Sequence, residues 1–224
     1  MKSIAVIIIP LISLMLFRFL ETALYYSHIK NNKIYLSVFF AIADIILLWQ
    51  LSSGQKRFFL LLVSDKKPSV LRMFDFFINT KSFFLSIFSR TVSILRLIFL
   101  LAISFAPGVI IFFIPSYFYI GDTEKQFFLY TAVFLLTLGI PFAISGMLSM
   151  FLNPYIRATG LFTNPYAIMN KSVQKMKGNK TELFYLYLKY IPLLITCILI
   201  IPAFFILPRF EIKKAAFARK ALLL

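Results

Sequence analysis

Apolar residues run along this chain in five long stretches, residues 4–26, 34–51, 91–120, 127–152 and 183–207. A helix needs about 20 mostly apolar residues to cross a hydrocarbon layer roughly 30 Å thick. The pattern predicts an all-α fold, a polytopic helical membrane protein with about five transmembrane helices. The longest segment between crossings, residues 52–90, is itself interrupted by Phe58-Phe59-Leu60-Leu61-Leu62-Val63. No separate soluble domain fits. The chain divides into one helical membrane domain, residues 1–208, and a basic tail, residues 209–224.

Two of the connecting segments share a plan. Pro68-Ser69-Val70-Leu71-Arg72-Met73-Phe74 begins a helix-like stretch ahead of one crossing, and Asn164-Pro165-Tyr166-Ala167-Ile168-Met169 does the same ahead of another. Asn164 suits an N-cap and Pro165 the first helical position. Ile168, Met169, Ser172, Val173 and Met176 then share one helical face, with Lys171, Gln174, Lys175 and Lys177 elsewhere on the helix. Gly178-Asn179 ends it, and Thr181 can cap the next helix. Both stretches read as amphipathic elbow helices in the cytoplasmic headgroup layer, solvated loops being the alternative. Lys66, Lys67, Arg72, Lys171, Lys175, Lys177 and Lys180 are the candidate contacts to anionic headgroups.

Charge sets the orientation. With the N-terminus inside, thirteen Lys and Arg fall in the inner segments, and only Lys30, Lys33 and Lys125 fall outside. Cytoplasmic loops carry the excess of basic residues, so the N-terminus is expected in the cytoplasm. The tail is the exception. Arg209, Lys213, Lys214, Arg219 and Lys220 lie outside if residues 183–207 cross once. Pro192 and Pro202 would allow that segment to break and return, because proline removes a helix hydrogen bond. A single crossing is expected. Lys2 followed by an apolar run resembles a signal peptide, but Arg18 and Glu21 follow at once and no small-x-small site stands out, so an uncleaved first helix is expected.

Composition narrows the chemistry. Hydrophobic residues make up 61% of the chain, charged residues 14%, and the net charge is +16. Basic residues flanking apolar helices point to membrane lipids with anionic headgroups as partners, not to nucleic acid. Cys197 is the one cysteine and His28 the one histidine. An internal disulfide, a cysteine metal site and a paired-histidine motif are therefore excluded. No phosphate-binding glycine loop or Gly-x-Ser-x-Gly elbow occurs, and acids are few. No catalytic residues, metal or cofactor are assigned. Glu182 and Asp75 near the inner surface read as solvated or capping groups.

Ionisable groups inside a crossing are costly. Arg96 and Lys189 can snorkel to the inner headgroups. With Lys30 as the middle of the first turn, Arg18 precedes it by nearly as much as Asp44 follows it. Both then sit roughly 18–21 Å along neighbouring helices from the turn and can pair, with Glu21 one turn from Arg18. The pair either locks the first hairpin or serves as a proton or ion relay. On the fourth stretch, Gly139, Ala143 and Met147, with Gly146 adjacent, permit close helix packing. Pro107-Gly108 predicts a kink or tilt in the third.

Residues 150–156 (Met-Phe-Leu-Asn-Pro-Tyr-Ile), 172–180 (Ser-Val-Gln-Lys-Met-Lys-Gly-Asn-Lys), Leu183-Phe184, Leu207-Pro208 and Ala215-Ala216-Phe217 together have a characteristic cadence. It resembles a bacterial integral-membrane family of uncharacterised function, distantly related to the membrane domain preceding some glycerophosphodiester phosphodiesterases. The likeness covers roughly the last third of the chain. Lys189-Tyr190-Ile191-Pro192 stands where members often have a Phe-Ile-Gly-Trp-like element. The phosphodiesterase catalytic domain is absent. The resemblance implies a bacterial cytoplasmic-membrane location and no established activity. The expected role is a non-enzymatic accessory or scaffold protein with membrane-protein partners. The alternative is a small transporter or permease subunit.

Overall fold

The computed structural model describes residues 2–26, 33–64, 66–117, 121–160, 164–198 and 200–222. Among these residues every regular element is helical. The long helices are α1 (Lys2–Tyr26), α2 (Lys33–Val63), α4 (Thr80–Tyr117) and α5 (Asp122–Ser149). Short ones are α3 (Asp75–Ile78), α6 (Asn153–Thr159) and α7 (Pro165–Met176). The chain closes with α8 (Lys180–Ile195) and α9 (Ile200–Leu222). Stretches built on α1, α2, α4 and α5 are long and apolar enough to cross a membrane. Their outward faces carry exposed large apolar side chains such as Leu16, Phe99 and Phe134, as a lipid-facing surface requires. His28 and Lys30 lie outside the described residues.

Two helices run further than their apolar stretches. No proline interrupts residues 51–63, so α2 continues to Val63, and the apolar run after Arg57 forms its last turns instead of a separate segment. Likewise α4 begins at Thr80, not at residue 91, and stays helical through Pro107 and Gly108. Glycine lets α4 and α5 meet closely. A Cβ on Gly139 would lie 2.5 Å from the Ser104 carbonyl oxygen, and one on Gly108 would lie 2.6 Å from the Leu136 side chain. Small residues here permit backbone approach.

The buried core lies at one end of the long helices. Val6 of α1, Phe58 and Phe59 of α2, Met73, Leu152, Tyr155 and Ile156 pack there with Ile168 and Met176 of α7 and Leu183 of α8. Ala215, Phe217, Ala218 and Ala221 of α9 complete it. Polar side chains close the carbonyls that the helix ends and prolines leave open. Pro10 has no N–H for the Val6 carbonyl four residues earlier, and Gln55 Nε2 donates to that oxygen at 2.8 Å. Ser172 Oγ donates to the Ser149 carbonyl at the end of α5, 2.8 Å away. Arg219 donates to the Val63 carbonyl at the end of α2.

These contacts correct two expectations. The segment 183–207 does not run as one crossing. It forms α8, a 3-10 turn at Thr196–Ile198, and the start of α9, which returns. Lys220, near the end of α9, bonds Glu182 at the start of α8, 2.8 Å away. Sixteen-residue α8 is about 24 Å long, short of the hydrocarbon thickness. Residues 209–222 are therefore not a separate tail. They continue α9 into the core, because Phe210, Ala215, Phe217, Ala218 and Ala221 give that stretch one apolar face.

Candidate functional site

A cluster of cations lies where α2, α4, α5, α6 and α8 converge. A cavity of about 630 Å³ opens there, with Lys56, Arg90, Arg157 and Asn153 at one end and Ile94, Leu97, Ile144 and Met147 along its walls. Local sequence explains how the cations arrive. Pro154 sits at the start of α6, which Gly160 ends in the left-handed conformation, φ 71°. That short helix turns Asn153 and Arg157, one turn apart, inward beside α4.

Each cation is held differently. Arg157, 5% exposed, donates to the Ser86 carbonyl at 3.1 Å, and its Nε has no partner. Arg90 reaches the Trp49 carbonyl at 3.4 Å and lies 5.7 Å from the Trp49 ring centre. Arg90 and Arg157 line the same cavity. Neither has an acidic partner among the described residues. Lys56 does, since its Nζ lies 2.5 Å from Glu211 Oε2. Lys214 pairs with the other Glu211 oxygen. Burial pushes the Glu211 carboxyl up, and the two ammonium groups outweigh that and hold it below the usual carboxylate value. Asn153 Nδ2 donates to Ser93 Oγ at 3.2 Å, while its Oδ1 is buried without a partner.

The expected site residues lie elsewhere. The structure brings Arg18 and Asp44 together across the first hairpin at 2.9 Å, and Arg18 also meets Glu21 at 2.6 Å. Asp44 is buried, and half of the Arg18 side chain is exposed. Of the elbow residues, Lys66, Lys67, Arg72 and Lys177 are exposed, and Lys171 and Lys175 are half-buried. Lys180 donates to Ser145 Oγ at 2.9 Å. The second elbow is helical, and Asn164 Oδ1 caps it through the Tyr166 N–H. In the first, Ser69 caps a 3-10 turn that leads into α3. Asp75 and Glu182 are ion-paired, with Arg57 at 3.2 Å and with Lys220. Thr181 does not cap α8, whose N-cap position is Asn179.

The cluster of Lys56, Arg90 and Arg157 is not visible in the sequence, where each of the three is an ordinary inner-side charge. One signal was present. Asn153 and Arg157 stand four apart between buried apolar residues, and a polar face on so short a segment has to meet other polar groups.

Fold and site together define a multi-pass helical membrane protein with a cation-lined, apolar-walled cavity at its basic end. Compared with known proteins, the chain has no significant match to a family model, a curated protein or a solved structure.

Proposed function

We propose that this chain is a non-enzymatic accessory or scaffold protein of the bacterial cytoplasmic membrane, with both its N-terminus and the basic end of α9 in the cytoplasm. The observation that carries the reading is the packed core at the basic end, into which elbow residues and α9 fold together with the ends of the apolar helices α1 and α2. The return of α9 adds its five basic residues to the inner count, which becomes eighteen against three. That removes the one exception to the basic-inside rule. In this reading the elbow lysines rest against anionic headgroups, and the exposed flanks of α1, α4 and α5 face lipid or a partner membrane protein. The resemblance of the last third of the chain to an uncharacterised bacterial membrane family agrees with the location and assigns no activity.

Transport would call for a cavity reaching Asp44. The principal cavities among the described residues lie around α2 and the helices from α4 to α9, and Asp44 lines none of them. A locked hairpin is then the simpler role of the Arg18–Asp44 pair. Three experiments test the proposal. Purification in mild detergent is expected to bring down a membrane-protein partner at fixed stoichiometry, and reconstituted vesicles are expected to show no solute flux. A proton-coupled flux that vanishes in Asp44→Asn, or a co-purifying ATPase, would replace the scaffold reading with transport. Single cysteines at Ser69 and at exposed Lys213, in a Cys197→Ser background, are both expected to resist an impermeant thiol reagent in intact cells. Labelling of Lys213→Cys alone would place α9 outside and refute its return.

A further inference from the structure

The cavity between α4, α5, α6 and α8 is polar at one end and apolar at the other, and the gradient follows the helix axes. On α4, Arg90 stands at the basic end, Ser93 and Ile94 one turn on, and Leu97 one turn further. From Arg90 to Leu97 the helix rises about 10 Å. Antiparallel α5 mirrors the order, since a Cβ on Gly146 would meet the Leu100 side chain and one on Gly139 would meet Ser104. Ile144 therefore lines the deep end and Asn153 and Arg157 the shallow end. A neighbouring hollow shares Ile144, Leu148 and Phe184, so the apolar wall continues toward α8.

The shallow end is short of negative charge. Glu211 answers Lys56, and no described acid answers Arg90 or Arg157. A buried guanidinium without a counter-ion is expensive, and its fork geometry suits a phosphate. The volume, about 630 Å³, is that of a small-molecule site. Basic pockets between membrane helices on the cytoplasmic side are suited to anionic headgroups.

The geometry points to a bound anionic phospholipid, its phosphate held by Arg90 and Arg157 with Asn153 beside them, and an acyl chain laid along Ile94, Leu97 and Ile144. The site is distinct from the elbow lysines, which offer loose surface attraction without an apolar wall. It does not depend on the scaffold reading. Loss of lipid retention leaves the partner and flux experiments untouched, and their failure leaves this site standing.

The test uses the full chain, delipidated in neutral detergent. Dioleoyl phosphatidylglycerol, dioleoyl phosphatidylcholine and inorganic phosphate are added in turn, with native mass spectrometry and thermal melting as readouts. One phosphatidylglycerol per chain is expected to persist and to raise the melting temperature, and phosphatidylcholine is expected to bind at least about tenfold more weakly. Inorganic phosphate at equal concentration is expected to leave melting unchanged. Arg90→Gln is expected to weaken phosphatidylglycerol retention by about tenfold. Ile94→Trp, which fills the apolar wall and removes no charge, is expected to abolish retention while the lipid-free protein melts as before. Neutralising Lys171, Lys175 and Lys177 together is expected to leave the single tight lipid in place. Equal retention by the wild type, Arg90→Gln and Ile94→Trp would overturn the proposal. So would a phosphate-induced shift as large as that of the lipid, which would make the site one for soluble phosphate.

Discussion

Replacing Glu211 with Gln removes the anion that, among the described residues, pairs α9 with α2. In the folded protein its carboxylate meets Lys56 at 2.5 Å on one oxygen and Lys214 on the other. Glu211→Gln keeps the shape and strands two ammonium groups, with side-chain exposures of 15% for Lys56 and 12% for Lys214. Breaking a buried pair costs about 3–5 kcal/mol, and the residual solvent contact lowers that to about 2–3 kcal/mol. For a chain of this size such a loss corresponds to roughly 5–10 °C in melting temperature. The carboxyl titrates below its ordinary value in the folded state, so its stabilisation is present above the unfolded value of about 4.3. It is lost as pH falls through the lower, folded value. The assay is thermal melting of both proteins in the same detergent from pH 7 downward, with trypsin cleavage at Arg219 and Lys220 as a local probe. At pH 7 the variant is expected to melt lower and to be cut faster in α9. The gap between the two proteins is expected to close below the ordinary carboxylate range. A gap that stays constant with pH would show that the charge pairing does not anchor α9.

Three further outcomes follow from other contacts. Gly54→Ala would place a Cβ 1.9 Å from the Met73 carbonyl oxygen, so a loss of about 1–3 kcal/mol is expected by chemical or thermal denaturation. An unchanged midpoint would contradict the close approach of α2 to the turn at Val70–Phe74. Asp44→Asn and Arg18→Gln are each expected to lower thermal stability, and the double variant to recover part of the loss, since neither charge is then stranded. Purely additive losses would show that the two do not interact. Neutralising Lys171, Lys175, Lys177 and Lys180 is expected to reduce bulk binding to anionic vesicles by up to about 1 kcal/mol per residue, with high salt mimicking the change. Salt-independent binding would favour the solvated-loop reading of that segment.

Much of the helix plan is legible in the apolar pattern, because a crossing helix must satisfy its backbone internally and cover about 20 consecutive residues with apolar side chains. That constraint is local in the chain. It marked α1, the first part of α2, α4 and α5, and Asn164-Pro165 marked the start of α7 for an equally local reason. The meeting of Arg18 with Asp44 could be read because few residues separate two neighbouring helices, which equalises depth along them. The small residues of α5 likewise announced a close partner without naming it, and Ser104 and Leu100 of α4 proved to be the contacts.

Tertiary structure alone decided the path of the chain from Leu183 onward. Hydropathy shows that residues 183–207 are apolar. It does not show whether a helix with Pro192 and Pro202 crosses or turns back. The choice fell to groups distant in sequence: the Lys56–Glu211 pair, Arg219 on the open carbonyl of Val63, and Lys220 on Glu182. The cavity was hidden for the same reason. Lys56, Arg90 and Arg157 stand on three helices, and each alone is an ordinary inner-side cation. Only the tertiary fold, with α6 packed on α2 and its Arg157 and Asn153 bonded to Ser86 and Ser93 of α4, brings both guanidiniums to one cavity with no described acid paired to either.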